Sequence, residues 1–159
     1  MPSGTEFIKH EFDEAMAIQQ SIIDSGRALS TSHPVADVKR QLTTDLKVDQ
    51  QHLKQLEKFG RPYGATGKRE EVAEALGSLA DETSQKAGSE ESEAYEAHAV
   101  LLNLKRKQQD SADAVIKIAR DRKETDLRDA ATKMKKEIKA SADGLAKSLS
   151  DFAVRIASS

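Results

Sequence analysis

The chain has no cysteine and no tryptophan, and its 159 residues include only three prolines and eight glycines. Without cysteine there are no disulfide staples, no zinc–thiolate sites and no thiol chemistry. With aromatics at 4% of the chain, the core has to come from Leu, Ile, Val and Ala with a few Phe. No apolar run approaches the length that spans a bilayer, and the first residues have no signal-peptide pattern. The expectation is a soluble, cytoplasmic protein with no membrane insertion. An excess of one charge is also missing: 25 Lys and Arg stand against 27 Asp and Glu, for a net charge of −2. That argues against a nucleic-acid partner, whose footprint is a strong basic excess. The basic runs Lys105-Arg106-Lys107 and Lys133 with Lys135-Lys136 read as solvated helix faces. No Ser/His/Asp or Cys/His set can be assembled, so a hydrolase has nothing to rest on. The glycine-rich stretch 60–67 follows no strand and lacks the Walker pattern, so it reads as a structural crossover.

What is present is helical periodicity. A stripe of Ile8, Glu11, Ala15, Ile18, Ile22, Ser25 and Leu29 predicts a first helix over 6–29. The run Ser30 to Pro34 makes a short turn, with Pro34 suited to the first position of a helix over 34–59 and Ser32 or His33 as its cap. The segment 68–86 can form a shorter helix, and Ser89 is a plausible cap for the helix after it. From Glu90 to Ile156 there is no proline, and the only glycine is Gly144. One helix of that length would extend about 100 Å, so a turn belongs in the charged segment 120–126. That gives helices over 90–120 and 125–156. The stripe of the last is Leu127, Ala131, Met134, Ile138, Ala142, Leu145, Leu149, Phe152 and Ile156. The expected architecture is one all-α domain spanning 1–159. It is an antiparallel four-helix bundle of two long hairpins joined by a long crossover that carries the short helix, the arrangement of ferritin-like folds.

The second helix carries a polar island. Its stripe reads Val38, Leu42, Asp45, Asp49, His52, Leu56 and Phe59, which places two carboxylates and an imidazole on the side where the leucines are buried. One reading is a reduced metal site, because two aspartates four residues apart repel when ionised and are costly to bury unpaired. The other is that the stripe opens to solvent there, or that a lysine or arginine from another helix pairs with the carboxylates, or that Asp49 and His52 bond to each other. Tyr95, Glu96 and His98 divide in the same way, between the same central site and a packing face of Ala94, Ala97, Leu101 and Leu104. His10 and His33 sit at helix edges and carry no signal.

The run Asp49 to Gly60, with Glu93-Ala94-Tyr95-Glu96-Ala97-His98, resembles the ferritin-like superfamily, and within it most the YciE/YciF stress-protein branch. The likeness in layout covers nearly the whole chain. It implies a homodimer and a site of one glutamate from each of two helices plus Glu-x-x-His from the other two. Mapped onto this chain, the candidate metal ligands are Asp49, His52, Glu96, Glu14 and Glu137, with iron or manganese as the ion. Helix four has no Glu-x-x-His, and Ala15 and Ile18 occupy the level where helix one should present its glutamate. The first expectation is therefore a non-catalytic, stress-associated structural or binding protein with a lost or vestigial metal site and no cofactor. The alternatives are an iron- or manganese-binding protein with a redox or storage role, and a phasin-like lipid or granule-surface protein.

Overall fold

The computed structural model describes residues 3–67 and 91–159. Four long helices carry the fold: α1 (Gly4–Ser32), α2 (Ala36–Gly60), α3 (Glu91–Asp121) and α4 (Thr125–Ala157). Among the described residues there is no strand, and no helix is long and apolar enough to cross a membrane. The expected helix over 68–86 and the cap at Ser89 lie outside the described residues.

Local chemistry sets the helix ends. Helix α1 begins two residues earlier than its stripe suggests because Ser3 and Glu6 form a capping box. The Ser3 hydroxyl accepts from the Glu6 N–H at 3.2 Å, and Glu6 accepts from the Ser3 N–H at 2.9 Å, so two orphan donors are satisfied together. It also ends later. The hydroxyls of Ser30, Thr31 and Ser32 donate back to the carbonyls of Arg27 and Ala28, so a stretch read as a turn continues as helix. Pro34 then forces the preceding residue out of the helical region, and His33 is extended (φ −63°, ψ 134°). Pro34 is not the first residue of α2, as its position suggested. Val35 is the N-cap of α2, without a side-chain cap of its own.

Between α3 and α4 the chain turns within three residues. The Glu124 N–H bonds to the Ala119 carbonyl at 2.9 Å and the Lys123 N–H to Arg120 at 3.2 Å, with Lys123 left-handed at φ 59°. This is a Schellman ending with lysine where glycine is usual. After α2, Arg61–Tyr63 make one 3-10 turn and Gly64 adopts φ 77°. Gly60 allows that loop to approach α1: a Cβ there would lie 2.9 Å from Met16 Cε and 3.2 Å from Phe12 Cβ. Asp13, buried in α1, accepts the N–H groups of Thr66 and Gly67 at 2.7 and 2.8 Å. Burial pushes the Asp13 carboxyl up, but the two backbone donors and Lys9 outweigh it and hold the group below its ordinary value.

The helices form a four-helix bundle in which α1 packs on α2 and α3, and α4 packs on α3 and α2. Side chains that meet across the seams fix the directions. Gln108 reaches Ala15 and His33 reaches His98, so α1 and α3 are antiparallel. Ser141 meets Asp45 and Ser148 meets Gln41, so α2 and α4 are antiparallel. Helices α2 and α3 therefore run the same way, and the chain leaves α2 at one end of the bundle and enters α3 at the other. The α2–α4 seam has the sparsest contact of the four.

The core is divided. At the end that carries the α1–α2 link (the corner end), Ile22, Leu29, Leu42, Leu101, Leu145 and Phe152 pack together. At the end that carries the α3–α4 turn (the turn end), Phe12, Met16, Leu56, Val115, Met134 and Ile138 do so. Each fully buried side chain of this size contributes about 1.5–3 kcal/mol. Between the two clusters lies a layer of polar side chains.

Candidate functional site

All four helices contribute to that layer: Gln19 from α1, Asp45, Asp49 and His52 from α2, Lys105 and Gln108 from α3, and Ser141 from α4. Gln19, Asp49, His52, Lys105 and Gln108 are buried. The periodicity that buries the leucines carries these residues in as well. Lys105 stands four residues after Leu101 and seven before Ala112, both buried, so its side chain points inward although its two basic neighbours face out.

Lys105 organises the layer. Its ammonium, 2% exposed, donates to Asp49 Oδ2 at 3.1 Å and to Ser141 Oγ at 2.5 Å, and lies 3.8 Å from Asp45 Oδ2. Ser141 in turn donates to Asp45 at 2.8 Å. One fixed cation and one hydroxyl thus hold the aspartate pair. Burial pushes the Asp49 carboxyl above its ordinary value; Lys105 opposes this and Asp45 adds to it. On the opposite side Gln108 donates to the Ala15 carbonyl at 2.8 Å and to Gln19 Oε1 at 3.1 Å, and Gln19 donates to the Asp49 carbonyl at 2.8 Å. The layer crosses the whole bundle.

His52 belongs to the layer by position and not by bonding. It is 4% exposed, and neither ring nitrogen has a hydrogen-bond partner. Glu137 Oε1 is 3.9 Å from its Nε2, beyond hydrogen-bond reach. Burial, with Lys105 and Lys133 nearby, lowers its pKa to about 4, so the ring is neutral at neutral pH. It lines a cleft of about 70 Å³ between α2 and α4, with Gln51, Gln55, Lys133, Met134 and Glu137. A wider cleft of about 300 Å³ continues along the same seam past Asp45, Asp49 and Ser141.

Of the five candidate metal ligands, His52 and Glu137 approach each other at 3.9 Å, and the set as a whole does not converge. Asp49 is paired with Lys105. Glu137 is half-buried at the mouth of the His52 cleft. Glu14 lies on the α1–α3 flank, with Lys107 at 3.7 Å. Glu96 is exposed on α3. Among the described residues no three His, Cys, Asp or Glu side chains are grouped so as to hold a metal ion. The donor set does not fit the paired-ion centre that the resemblance implies, because the Lys105 ammonium occupies the Asp49 carboxylate and Glu14 and Glu96 lie away from it. Of the alternatives open for the polar island, the geometry is that of pairing by a lysine from another helix.

Of the two readings of Tyr95, Glu96 and His98, the geometry is that of the packing face: His98 is buried at the corner end with Ala94, Ala97 and Leu101, away from the central layer, and Tyr95 packs edge-on against Phe152 there. His33, read as an uninformative edge residue, is fully buried and bonds to His98 at 3.1 Å. Gln19, Gln108 and Ser141 were not among the expected site residues, and Lys105, read as part of a solvated face, is the lysine that pairs with the carboxylates. The available signal for Lys105 was its place on the stripe of α3, which a basic run conceals.

The fold and site define a class: an all-helical four-helix bundle with a polar layer pinned by a buried lysine. Beyond that class, no family model, curated protein or solved structure matches the chain.

Proposed function

We propose that the protein is a non-catalytic bundle of the ferritin-like kind, a structural or binding module in which Lys105 takes the place of a metal ion. The observation that carries this is the Lys105 ammonium 3.1 Å from Asp49 and 3.8 Å from Asp45. The buried carboxylate of Asp49 and the partly exposed one of Asp45 beside it are served by a side-chain cation fixed on α3. A role in stress physiology and a homodimeric state rest on the resemblance to the YciE/YciF branch and belong to the same proposal.

Metal analysis of the full-length protein, purified without chelator, tests it. The expected result is iron and manganese far below one ion per chain, and no change in melting temperature when either is added. Stoichiometric metal that disappears in His52→Ala would overturn the reading. It would favour the second one, a single-ion site at His52 and Glu137, which rests on the two unbonded ring nitrogens of His52.

A further inference from the structure

The corner end holds a hydrogen-bond chain whose direction is fixed by chemistry. The Leu145 carbonyl can only accept, so His98 Nε2, 3.0 Å away, carries a proton. His98 Nδ1 is then an acceptor, and His33 Nε2 at 3.1 Å must donate to it. That leaves His33 Nδ1 as the acceptor for the Val35 N–H at 3.1 Å. Both imidazoles are neutral, and every ring nitrogen is engaged. A further proton can therefore enter only by breaking this chain. At His33 Nδ1 it takes away the acceptor of the Val35 N–H, the bond that ties the N-cap of α2 to the end of α1. At His98 Nδ1 it takes away the acceptor of the His33 Nε2–H. The two rings then stay bonded if His33 moves its proton to Nδ1, which costs the Val35 bond again.

Among the described residues, the surroundings give the cation no support. His33 is enclosed, with Phe152 edge-on at 4.8 Å and His98 at 5.1 Å between centroids. The charged groups that bear on it are Lys39 of α2 and Arg155 of α4, both positive. The nearby carboxylate, Glu91 at the start of α3, is bonded to Arg155 at 3.0 Å. Around His98 the further polar neighbour is the Ser148 hydroxyl at 3.3 Å. Burial first, then His98 and these cations, lowers the His33 pKa to about 4, and burial lowers that of His98.

We propose that the His33–His98 pair is a proton-operated latch, in which uptake of one proton releases the start of α2 from α1 and α4 while the turn end of the bundle stays folded. The division of the core into two apolar clusters with a polar layer between them permits the ends to respond separately. The latch operates in the same way whether or not the central layer binds metal.

Amide hydrogen exchange of the full-length protein at pH 7 and pH 5, corrected for intrinsic rates, tests it. Taking His33 from an ordinary 6.5 in the open state to about 4 in the closed one, opening should become about twentyfold more favourable between these pH values. The expected result is a loss of that size at Lys39 to Leu42 and at Phe152, with protection at Val115 to Ala119 and Met134 to Ile138 unchanged. In His33→Gln, whose amide can both accept and donate but does not titrate, the response should fall well below that of the wild type. Equal loss at both ends, no loss at the corner, or a full response in His33→Gln would each overturn the latch. Should that variant not fold, the wild-type imidazole nitrogen shifts decide, because His33 Nδ1 must protonate with the midpoint of the corner exchange.

Discussion

The central layer and the corner pair both bury polar groups in one small core, and they do so by opposite means. The layer uses full charges: Lys105 against Asp49 and Asp45, steadied by a hydroxyl and two glutamines. The corner uses neutral groups whose tautomers are set by a backbone carbonyl at one end and a backbone N–H at the other. A charge pair depends on its partner, and losing either member strands the other in low dielectric. A tautomer chain depends on the proton count, so solvent pH acts on it directly. The layer also borders the sparsest seam, with His52 beside a cleft, whereas the corner is closed on every side.

The largest effect should come from Lys105→Met. With its ammonium gone, Asp49 is a buried, unpaired carboxylate, and urea unfolding at pH 7 should show a loss of about 3–5 kcal/mol. The loss should shrink in acid, where Asp49, already pushed up by burial, is protonated. A loss under ~1 kcal/mol would remove the charge pair from the comparison.

Next comes the pH dependence. His33 and His52 have folded pKa values of about 4 against an ordinary 6.5, so the unfolded chain takes up their protons first. Stability is complete above about pH 6.5 and is lost progressively down to about pH 4. The limit is of order 3 kcal/mol for each histidine. Unfolding midpoints of His33→Gln and His52→Gln across pH 4–7 separate the two. Each should flatten the slope by about one proton, and only His33→Gln should alter exchange at the corner.

Asp13→Ala offers a third buried polar anchor for scale. It leaves the N–H groups of Thr66 and Gly67 without their acceptor and should cost about 1–3 kcal/mol in the same denaturation measurement. Since the Asp13 pKa is held below 3.8, that contribution stays complete above pH 3.8 and is lost only in stronger acid, unlike those of the histidines. The smallest effect is a gain. Lys123→Gly relieves a left-handed lysine far from the corner pair and the central layer and should raise stability by about 0.5–1 kcal/mol. Its independence of pH between 4 and 7 would show that the slope belongs to the buried histidines.

The helices and much of the core were legible because the apolar stripes run at helical spacing. Leu127, Met134, Ile138, Leu145 and Phe152 in α4 and Val38, Leu42 and Leu56 in α2 are buried as read, and the turn falls within the charged segment chosen for it. The polar island was legible because Asp49 and His52 interrupt a leucine stripe. Its partner was not. A lysine in a Lys-Arg-Lys run reads as solvated, and that run conceals its place on the stripe of α3 between Leu101 and Ala112, which turns it inward. His33 was hidden for another reason: it lies in the link between helices, where periodicity has nothing to report. The end of α1 ran long because Ser and Thr hydroxyls satisfy the last carbonyls locally, and that effect leaves no mark on the apolar pattern.

The central claim is that Lys105 and Asp49 act as one unit that holds the layer, and a double-mutant cycle tests it most directly. Lys105→Met, Asp49→Leu and the double variant would be unfolded in urea at pH 7. Each single variant should lose several kcal/mol while the double loses far less than their sum, leaving a coupling of about 2 kcal/mol or more. Additive losses would contradict the account, because they would mean that the buried ammonium does not serve the carboxylate beside it.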